Sequence, residues 1–221
     1  MRLESFRIRV WDAPTRLFHW AIVLLVATSW VTQELDWMRW HFLSGYTLLA
    51  ALLFRLAWGV VGSETARFSH FLRSPLAALR HLRELPRHRT DTIIGHNAAG
   101  GWMVVVLLLL LGIQVGTGLC ANDEISVQGP LADLVGDGWS NYLTHIHALN
   151  FKLIEVAIVL HLLALAGYRL LGHDLLRPMI TGWKRLPSSS ASPRMANPLL
   201  ALAIFVVAAL AVAAGVRTLG G

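Results

Sequence analysis

Four histidines stand within or at the ends of long apolar stretches, where an ionisable side chain is costly unless it has a partner or a function. They are His19, His41, His147 and His161. His147 and His161 are fourteen residues apart. On one helix this spacing is about 21 Å along the axis and about 40° short of full turns. Their imidazoles are therefore predicted to point to the same side of one helix at two depths.

The four histidines sort into two pairs when the direction of each apolar segment is considered. His19 is expected at the depth of His161, and His41 at the depth of His147. Zinc usually takes three or four protein ligands, whereas haem needs two axial ligands, and helix bundles build such sites from facing helices. The spacing therefore favours two bis-histidine haems stacked across a membrane.

Two further histidines leave alternatives open. His145 precedes His147 by two residues and faces about 160° away from it, so it could replace His147 as a ligand only if the helix began differently. His96, in GHNAAGGWM, could contact a haem propionate or relay protons beside a quinone, or it could be a solvated residue at a helix start. The remaining histidines near charged loops are expected to be solvated: His70, His81, His88 and His173.

Arg55 and Gly45 follow His41 in the same apolar segment. Arg55 is fourteen residues after His41, so it shares that helix face at the depth of the inner pair. A buried arginine there needs an anion, which a haem propionate would supply. The alternative is that Arg55 extends to the lipid headgroups. Gly45, one turn after His41, would leave room for a porphyrin edge.

Five mainly apolar segments must position these side chains, and each is long enough to cross a bilayer as a helix. We predict spans at 17–33, 41–61, 99–119, 147–171 and 197–216. Only 14% of the residues are charged, well below the share usual in soluble domains. The predicted fold is an all-α integral membrane protein, with a four-helix di-haem domain at 1–186 followed by a linker and a fifth transmembrane helix at 187–221.

Basic residues are concentrated in alternate loops, as the positive-inside rule describes. They precede the first span, lie between the second and third, and follow the fourth: Arg2, Arg7, Arg9, Arg16, Arg67, Arg73, Arg80, Arg83, Arg87, Arg89, Arg177, Lys184, Arg185 and Arg194. The opposite loops, 34–40 and 120–146, are mainly acidic. The N-terminus is therefore predicted to be cytoplasmic. The net charge of +6 is accounted for by membrane orientation, so no nucleic-acid partner is expected.

Two other local patterns carry predictions. SPLAALRHLREL, beginning at Ser74, predicts a short amphipathic helix on the inner leaflet, with a soluble linker helix as the alternative. The third span contains Gly112 and Gly116. This spacing is typical of close helix packing, but the missing side chains could instead make space for a flat cofactor. The single cysteine, Cys120, excludes an iron–sulfur cluster ligated by this chain alone.

Four stretches resemble the bacterial cytochrome b561 family, and most closely its branch of b-type cytochrome subunits associated with nickel-iron hydrogenases. They are VWDAPTRLFHW, HFLSGYTLLAALLFRLAWGVVG, GHNAAGGWMVVVLLLLLGIQVGTG and GHDLLRPMITGWKR. The resemblance covers residues 8–186. It implies a four-helix membrane cytochrome with two haem b groups that exchanges electrons with quinones. The family's ligand pattern falls on His19, His41, His147 and His161.

This resemblance predicts an electron conduit in the bacterial inner membrane, between the quinone pool and a periplasmic partner such as a hydrogenase or a c-type cytochrome. The acidic outer loop favours a basic partner. Quinone exchange is expected near the inner haem, with Asp12, Arg16, His96 and Lys184 as candidates. The alternatives are a stand-alone superoxide:quinone oxidoreductase and a haem-free membrane anchor or metal transporter.

Overall fold

Five long helices dominate the computed structural model, which describes residues 6–84, 93–125, 127–186 and 192–219. They are α1 (Ala13–Glu34), α2 (Met38–Val61), α5 (Ala98–Leu119), α7 (Asp137–Leu170) and α9 (Pro198–Leu219). Each is long and apolar enough to cross a membrane. The predicted all-α integral membrane fold with five spans is therefore confirmed.

Short elements connect the long helices. In chain order they are β1 (Phe6–Arg9), a 3-10 turn (Glu64–Ala66), α3 (Phe68–Phe71), α4 (Pro75–Glu84), α6 (Ala132–Val135), α8 (Leu176–Thr181) and β2 (Trp183–Leu186). The fourth span differs from its prediction, because α7 begins at Asp137 and not at His147. Gly136, whose φ is 77°, ends α6. Asp137 then places a carboxylate in the first turn of α7, where it complements the helix dipole.

A two-stranded antiparallel sheet was not predicted. It pairs β1 with β2, and Ile8 lies opposite Lys184. Side chains alternate between the two faces, so Ile8 and Leu186 are buried, and they form a small core with Val10 and Trp11. The segments are four residues each, too short for a periodic signal, and their pairing joins opposite ends of the predicted haem domain.

The described residues form two compact units. The first unit comprises the described residues within Met1–Leu17, Leu56–Val106 and Ile158–Ala201, and the second comprises those within Phe18–Arg55, Leu107–Ala157 and Leu202–Gly221.

Asp12 connects two helices within the first unit. It is 3% exposed. One carboxylate oxygen accepts a hydrogen bond from the backbone N–H of Thr15 at 2.7 Å, which caps the start of α1. The other accepts from the indole N–H of Trp58 at 3.0 Å. Because Trp58 is fully buried in α2, this carboxylate fixes the start of α1 to the end of α2.

The amphipathic segment after Ser74 is helical, as predicted. α4 begins at Pro75, and the Ser74 hydroxyl accepts a hydrogen bond from the N–H of Ala77 at 3.3 Å. Its leucines Leu76, Leu79 and Leu82 are exposed. Some residues of the predicted segment and of the basic loop lie outside the described residues: Leu85, Arg87, His88 and Arg89. The interfacial position of α4 remains a prediction.

The prediction that His81 and His173 are solvated is wrong. His173 is only 6% exposed, and its ring lies 6.2 Å from that of Tyr168. His81 is partly buried, with Nε2 3.1 Å from the Tyr168 hydroxyl. Tyr168, near the end of α7, therefore gathers histidines from two segments that the sequence places in separate loops. His70 is partly exposed beside Glu64, with 3.7 Å between Nδ1 and the carboxylate.

The second unit joins its helices through serine and phenylalanine contacts. The hydroxyls of Ser29 in α1 and Ser44 in α2 are 2.6 Å apart. The ring of Phe54 lies 6.4 Å from Phe18 and 6.1 Å from Phe205 of α9. The last membrane-spanning helix, α9, thus packs against α2 through an aromatic contact.

Candidate functional site

His41 of α2 and His147 of α7 face each other within the second unit. Their ring centroids are 6.2 Å apart and their planes are inclined at 75°. Both side chains are partly buried. The structure therefore brings together the two histidines that the sequence assigns to the outer pair.

His41 is held by the backbone of α1. Its Nδ1 lies 2.9 Å from the carbonyl oxygen of Ser29, so Nδ1–H donates to that carbonyl. The Ser44 hydroxyl donates to the carbonyl oxygen of His41 at 2.9 Å. Because Ser44 also bonds to Ser29, the imidazole and the two helices that orient it form one network.

His147 is held in the same way by α5. Its Nδ1 lies 2.9 Å from the carbonyl oxygen of Gln114 and 3.3 Å from the Thr117 hydroxyl. Its Nε2 is 3.1 Å from the amide nitrogen of Gln114, whose amide oxygen accepts from Asn150 at 2.7 Å. An amide nitrogen can only donate, so Nε2 carries the lone pair and Nδ1 carries the proton.

The pair fits an iron porphyrin by its donor chemistry. A metal-binding histidine typically donates its other ring N–H to a carbonyl, which leaves Nε2 for the metal. Both His41 and His147 have Nδ1 on a backbone carbonyl. A centroid separation of 6.2 Å matches two imidazoles that share one metal atom through bonds of about 2 Å each. The Gln114 amide lies next to Nε2 of His147, the atom that would bind the iron.

Three glycines of α2 and α5 border open space. A Cβ added at Gly45, Gly112 or Gly116 would meet nothing within 4 Å. Close helix packing at Gly112 and Gly116 is therefore not seen among the described residues. Both glycines are exposed and lie two residues from Gln114, about 160° around α5 from the side that contacts His147. Their open space therefore does not support the alternative of room for a flat group beside this pair. Gly118 differs, because a Cβ there would lie 2.8 Å from the His147 ring. The absence of a side chain at Gly118 lets His147 lie against α5.

Arg55 is buried in α2, with 2% of its surface exposed. The alternative that it extends to the lipid headgroups does not agree with this burial. A permanent charge inside a membrane-spanning helix requires compensating negative charge or hydrogen-bond acceptors. This requirement is compatible with a haem propionate.

The other predicted ligands are partly buried. His19 belongs to the second unit and His161 to the first. α7 is continuous through His147 and His161, so the helix spacing assumed for these two residues applies. His145, the alternative outer ligand, is exposed.

The residues predicted to form a quinone region belong to the first unit. His96 is partly buried, with its ring 4.6 Å from Trp11 and 4.7 Å from Phe71. It is therefore packed against aromatic rings and is not a solvated helix-start residue. Arg16 donates to the carbonyl oxygen of Ile180, and Lys184 to that of Ile93 at 2.8 Å. Both cations thus join separate segments of the chain.

Sequence reasoning missed the residues that orient the histidines: Ser29, Ser44, Gln114, Thr117 and Asn150. A signal for two of them existed, since Gln114 and Asn150 are polar amides within apolar spans. No such signal existed for the backbone carbonyls that accept the Nδ1 protons.

Five apolar helices, two of which carry facing imidazoles, define a multi-pass membrane protein. A family model, Prokaryotic cytochrome b561, matches residues 10–182. The chain belongs to this family, and it is a membrane b-type cytochrome of electron transfer. Comparisons with curated proteins and with solved structures gave no match.

Proposed function

We propose that this cytochrome holds two haem b groups and passes electrons between the quinone pool and a periplasmic redox protein. The observation that carries the proposal is the His41–His147 pair at 6.2 Å, whose Nδ1 atoms both lie on backbone carbonyls. When bound, haem supplies a one-electron iron couple whose potential depends on its axial ligands, burial and neighbouring charges.

The chain's own residues would hold and tune the outer haem. His41 and His147 would hold this haem, and the carbonyl groups of Ser29 and Gln114 fix their ring orientation. Gly45, one turn after His41 in α2 and without a neighbour for an added Cβ, would leave space for a porphyrin edge.

The inner haem is proposed from positions along the chain and from the family resemblance. His19 and His161 are its proposed ligands, and Arg55 is the proposed partner of a propionate. The deep burial of Arg55 supports a role within the protein. Its positive charge would stabilise the propionate and raise the reduction potential of the nearby haem.

Quinone exchange is proposed near the inner haem, on the cytoplasmic side, with the N-terminus in the cytoplasm. His96 is its best-supported member, because it is a titratable side chain partly buried among Trp11 and Phe71. The sequence also assigns Asp12, Arg16 and Lys184 to this region. Their hydrogen bonds to other segments of the chain would hold the region in place.

The periplasmic partner is proposed to dock at the segment 120–146. Its acidic residues Asp123, Glu124, Asp133 and Asp137 are exposed and suit a protein with a basic surface, such as a hydrogenase or a c-type cytochrome. The aromatic side chains of Trp139 and Tyr142, 65% and 55% exposed, line an open cleft in the same segment. Exposed aromatic residues of this kind are enriched in protein interfaces.

Optical spectroscopy and haem quantification test the proposal. The purified protein, produced with ample haem, should show a Soret band and two haem b groups per chain. His161→Ala should leave one haem. A wild-type protein with one haem would overturn the two-haem proposal, and a protein without haem would favour the anchor or metal transporter. A stable complex with a periplasmic redox protein would distinguish this function from that of a stand-alone superoxide:quinone oxidoreductase.

A further inference from the structure

A basic cleft lies beside the two-stranded sheet of the first unit. Its volume is about 290 Å³. Four basic side chains and one acidic side chain line it: Arg7, Arg177, Lys184, Arg185 and Asp174. Lys184 also belongs to the proposed quinone region, whereas the three arginines of the cleft have no role in the proposed haem or quinone sites.

The sheet concentrates this positive charge. Arg7 of β1 and Arg185 of β2 are directly opposite each other in the register, and both are exposed. Like charges at directly opposite positions destabilise a strand pair. An anion bound between the two guanidinium groups would remove this cost. The Arg7 guanidinium also lies 5.1 Å from the centre of the Trp183 ring. This cation–π contact helps to hold the Arg7 side chain at the cleft.

The single carboxylate is already engaged. Asp174 lies 3.8 Å from the guanidinium of Arg169 and accepts a hydrogen bond from the backbone N–H of Arg177 at 3.1 Å. Among the described residues, the ion pairs do not include Arg7, Arg177 or Arg185. The cleft therefore retains a net positive charge suited to a phosphate group.

Apolar residues beside the cleft indicate which phosphate it would take. Leu176 and Ile180 of α8 are 44% and 54% exposed, and their spacing of four residues puts them on one side of that helix. Arg177 and Thr181, which line the cleft, follow them by one residue each. A soluble phosphate would leave the two apolar side chains uncovered, whereas the acyl chains of a lipid would cover them.

The position along the chain also favours a lipid. β1 ends at Arg9, and the membrane-spanning α1 begins at Ala13. The sheet therefore lies close to where the chain enters the bilayer, at the level of the phospholipid headgroups. Trp183 is 39% exposed there, and tryptophan is enriched at this boundary.

We propose that this cleft is a binding site for one anionic phospholipid. Its phosphate lies between Arg7, Arg177 and Arg185, and its acyl chains follow Leu176 and Ile180.

Native mass spectrometry of the purified holoprotein tests this site, with dioleoyl phosphatidylglycerol and dioleoyl phosphatidylcholine as probes. The wild type should retain one phosphatidylglycerol in preference to phosphatidylcholine. The triple variant Arg7→Gln/Arg177→Gln/Arg185→Gln should bind it more weakly, by about fivefold for each arginine removed. The control Arg39→Gln/Arg73→Gln/Arg217→Gln removes the same charge at exposed positions elsewhere and should bind like the wild type.

Two further measurements keep the test decisive if the triple variant folds poorly. Leu176→Ser/Ile180→Ser retains every charge and should also weaken phosphatidylglycerol retention. Glycerol phosphate should fail to displace the lipid from the wild type. Equal retention of both lipids, unchanged binding by the arginine variant, or displacement by glycerol phosphate at equal concentration would each overturn the proposal, the last by identifying a soluble-phosphate site.

Discussion

The imidazoles of His41 and His147 face each other at 6.2 Å between centroids, and each is oriented by a backbone carbonyl of a further helix. Ser29 of α1 orients His41, and Gln114 of α5 orients His147. The two rings are thus fixed by four helices, although only two helices carry them. Such outer contacts set ring orientation and ligand basicity in metal sites. They also lead to the following predictions.

His147→Ala should remove the outer haem, because an alanine provides no axial ligand. Haem content, measured as the pyridine haemochrome, should fall from two groups per chain to one. His145→Ala is the matched control, since His145 is exposed on the same helix, and it should keep both haems. Loss of haem in the control but not in His147→Ala would assign the ligand to His145.

Arg55→Leu should lower the reduction potential of one haem, because it removes a buried positive charge that favours the reduced state. A change of about 1.4 kcal/mol in this interaction corresponds to about 59 mV for a one-electron couple. A redox titration followed optically would measure both potentials. Arg55→Lys keeps the charge and should shift the potential less. Unchanged potentials in Arg55→Leu would contradict the propionate role.

Gly118→Ala should disturb the outer site without changing a ligand. The new Cβ would lie 2.8 Å from the His147 ring, so the imidazole must move away from α5 and from the Gln114 carbonyl. We expect lower occupancy of one haem, or an altered spectrum of that haem. Gly215→Ala in α9, where a Cβ meets nothing within 4 Å, should have no effect. A normal spectrum in Gly118→Ala would show that this contact does not position the ligand.

Gly45→Leu distinguishes cofactor space from a surface that merely faces lipid. A Cβ at Gly45 meets nothing within 4 Å, so the leucine side chain would begin in open space. Leucine also favours a helix over glycine by up to about 1 kcal/mol. The protein should therefore fold, but its haem content should drop. Gly167→Leu, at another open position, should retain both haems; equal haem content in the two variants would argue against a porphyrin edge at Gly45.

Asp12→Ala should destabilise the first unit. It removes the cap on the Thr15 N–H and the acceptor of the Trp58 indole. Losing a helix cap costs about 1 kcal/mol, and leaving a buried donor unsatisfied costs about 1–3 kcal/mol more. Thermal unfolding in detergent should show a lower midpoint than in the wild type. The exposed Glu34 provides the control Glu34→Ala, which should unfold close to the wild-type temperature.

Local properties of the sequence were sufficient to predict the membrane fold. The five spans follow from the length of apolar runs, and α4 follows from Ser74, Pro75 and the leucine spacing, because helix geometry is determined by neighbouring residues. The direction of each apolar segment then identified His41 and His147 as candidates for one pair. These local properties could not predict where α7 begins, because the start depends on the conformation of Gly136.

Contacts between distant residues decided the rest. The pairing of Arg7 with Arg185, the burial of His173 against Tyr168 and the open space at Gly112 depend on which segments meet in three dimensions. The sequence alone determined which side chains could serve as ligands and roughly how far apart they lie along a helix. Only the tertiary structure decided which carbonyl holds each imidazole, because a backbone acceptor has no residue type by which a sequence could mark it.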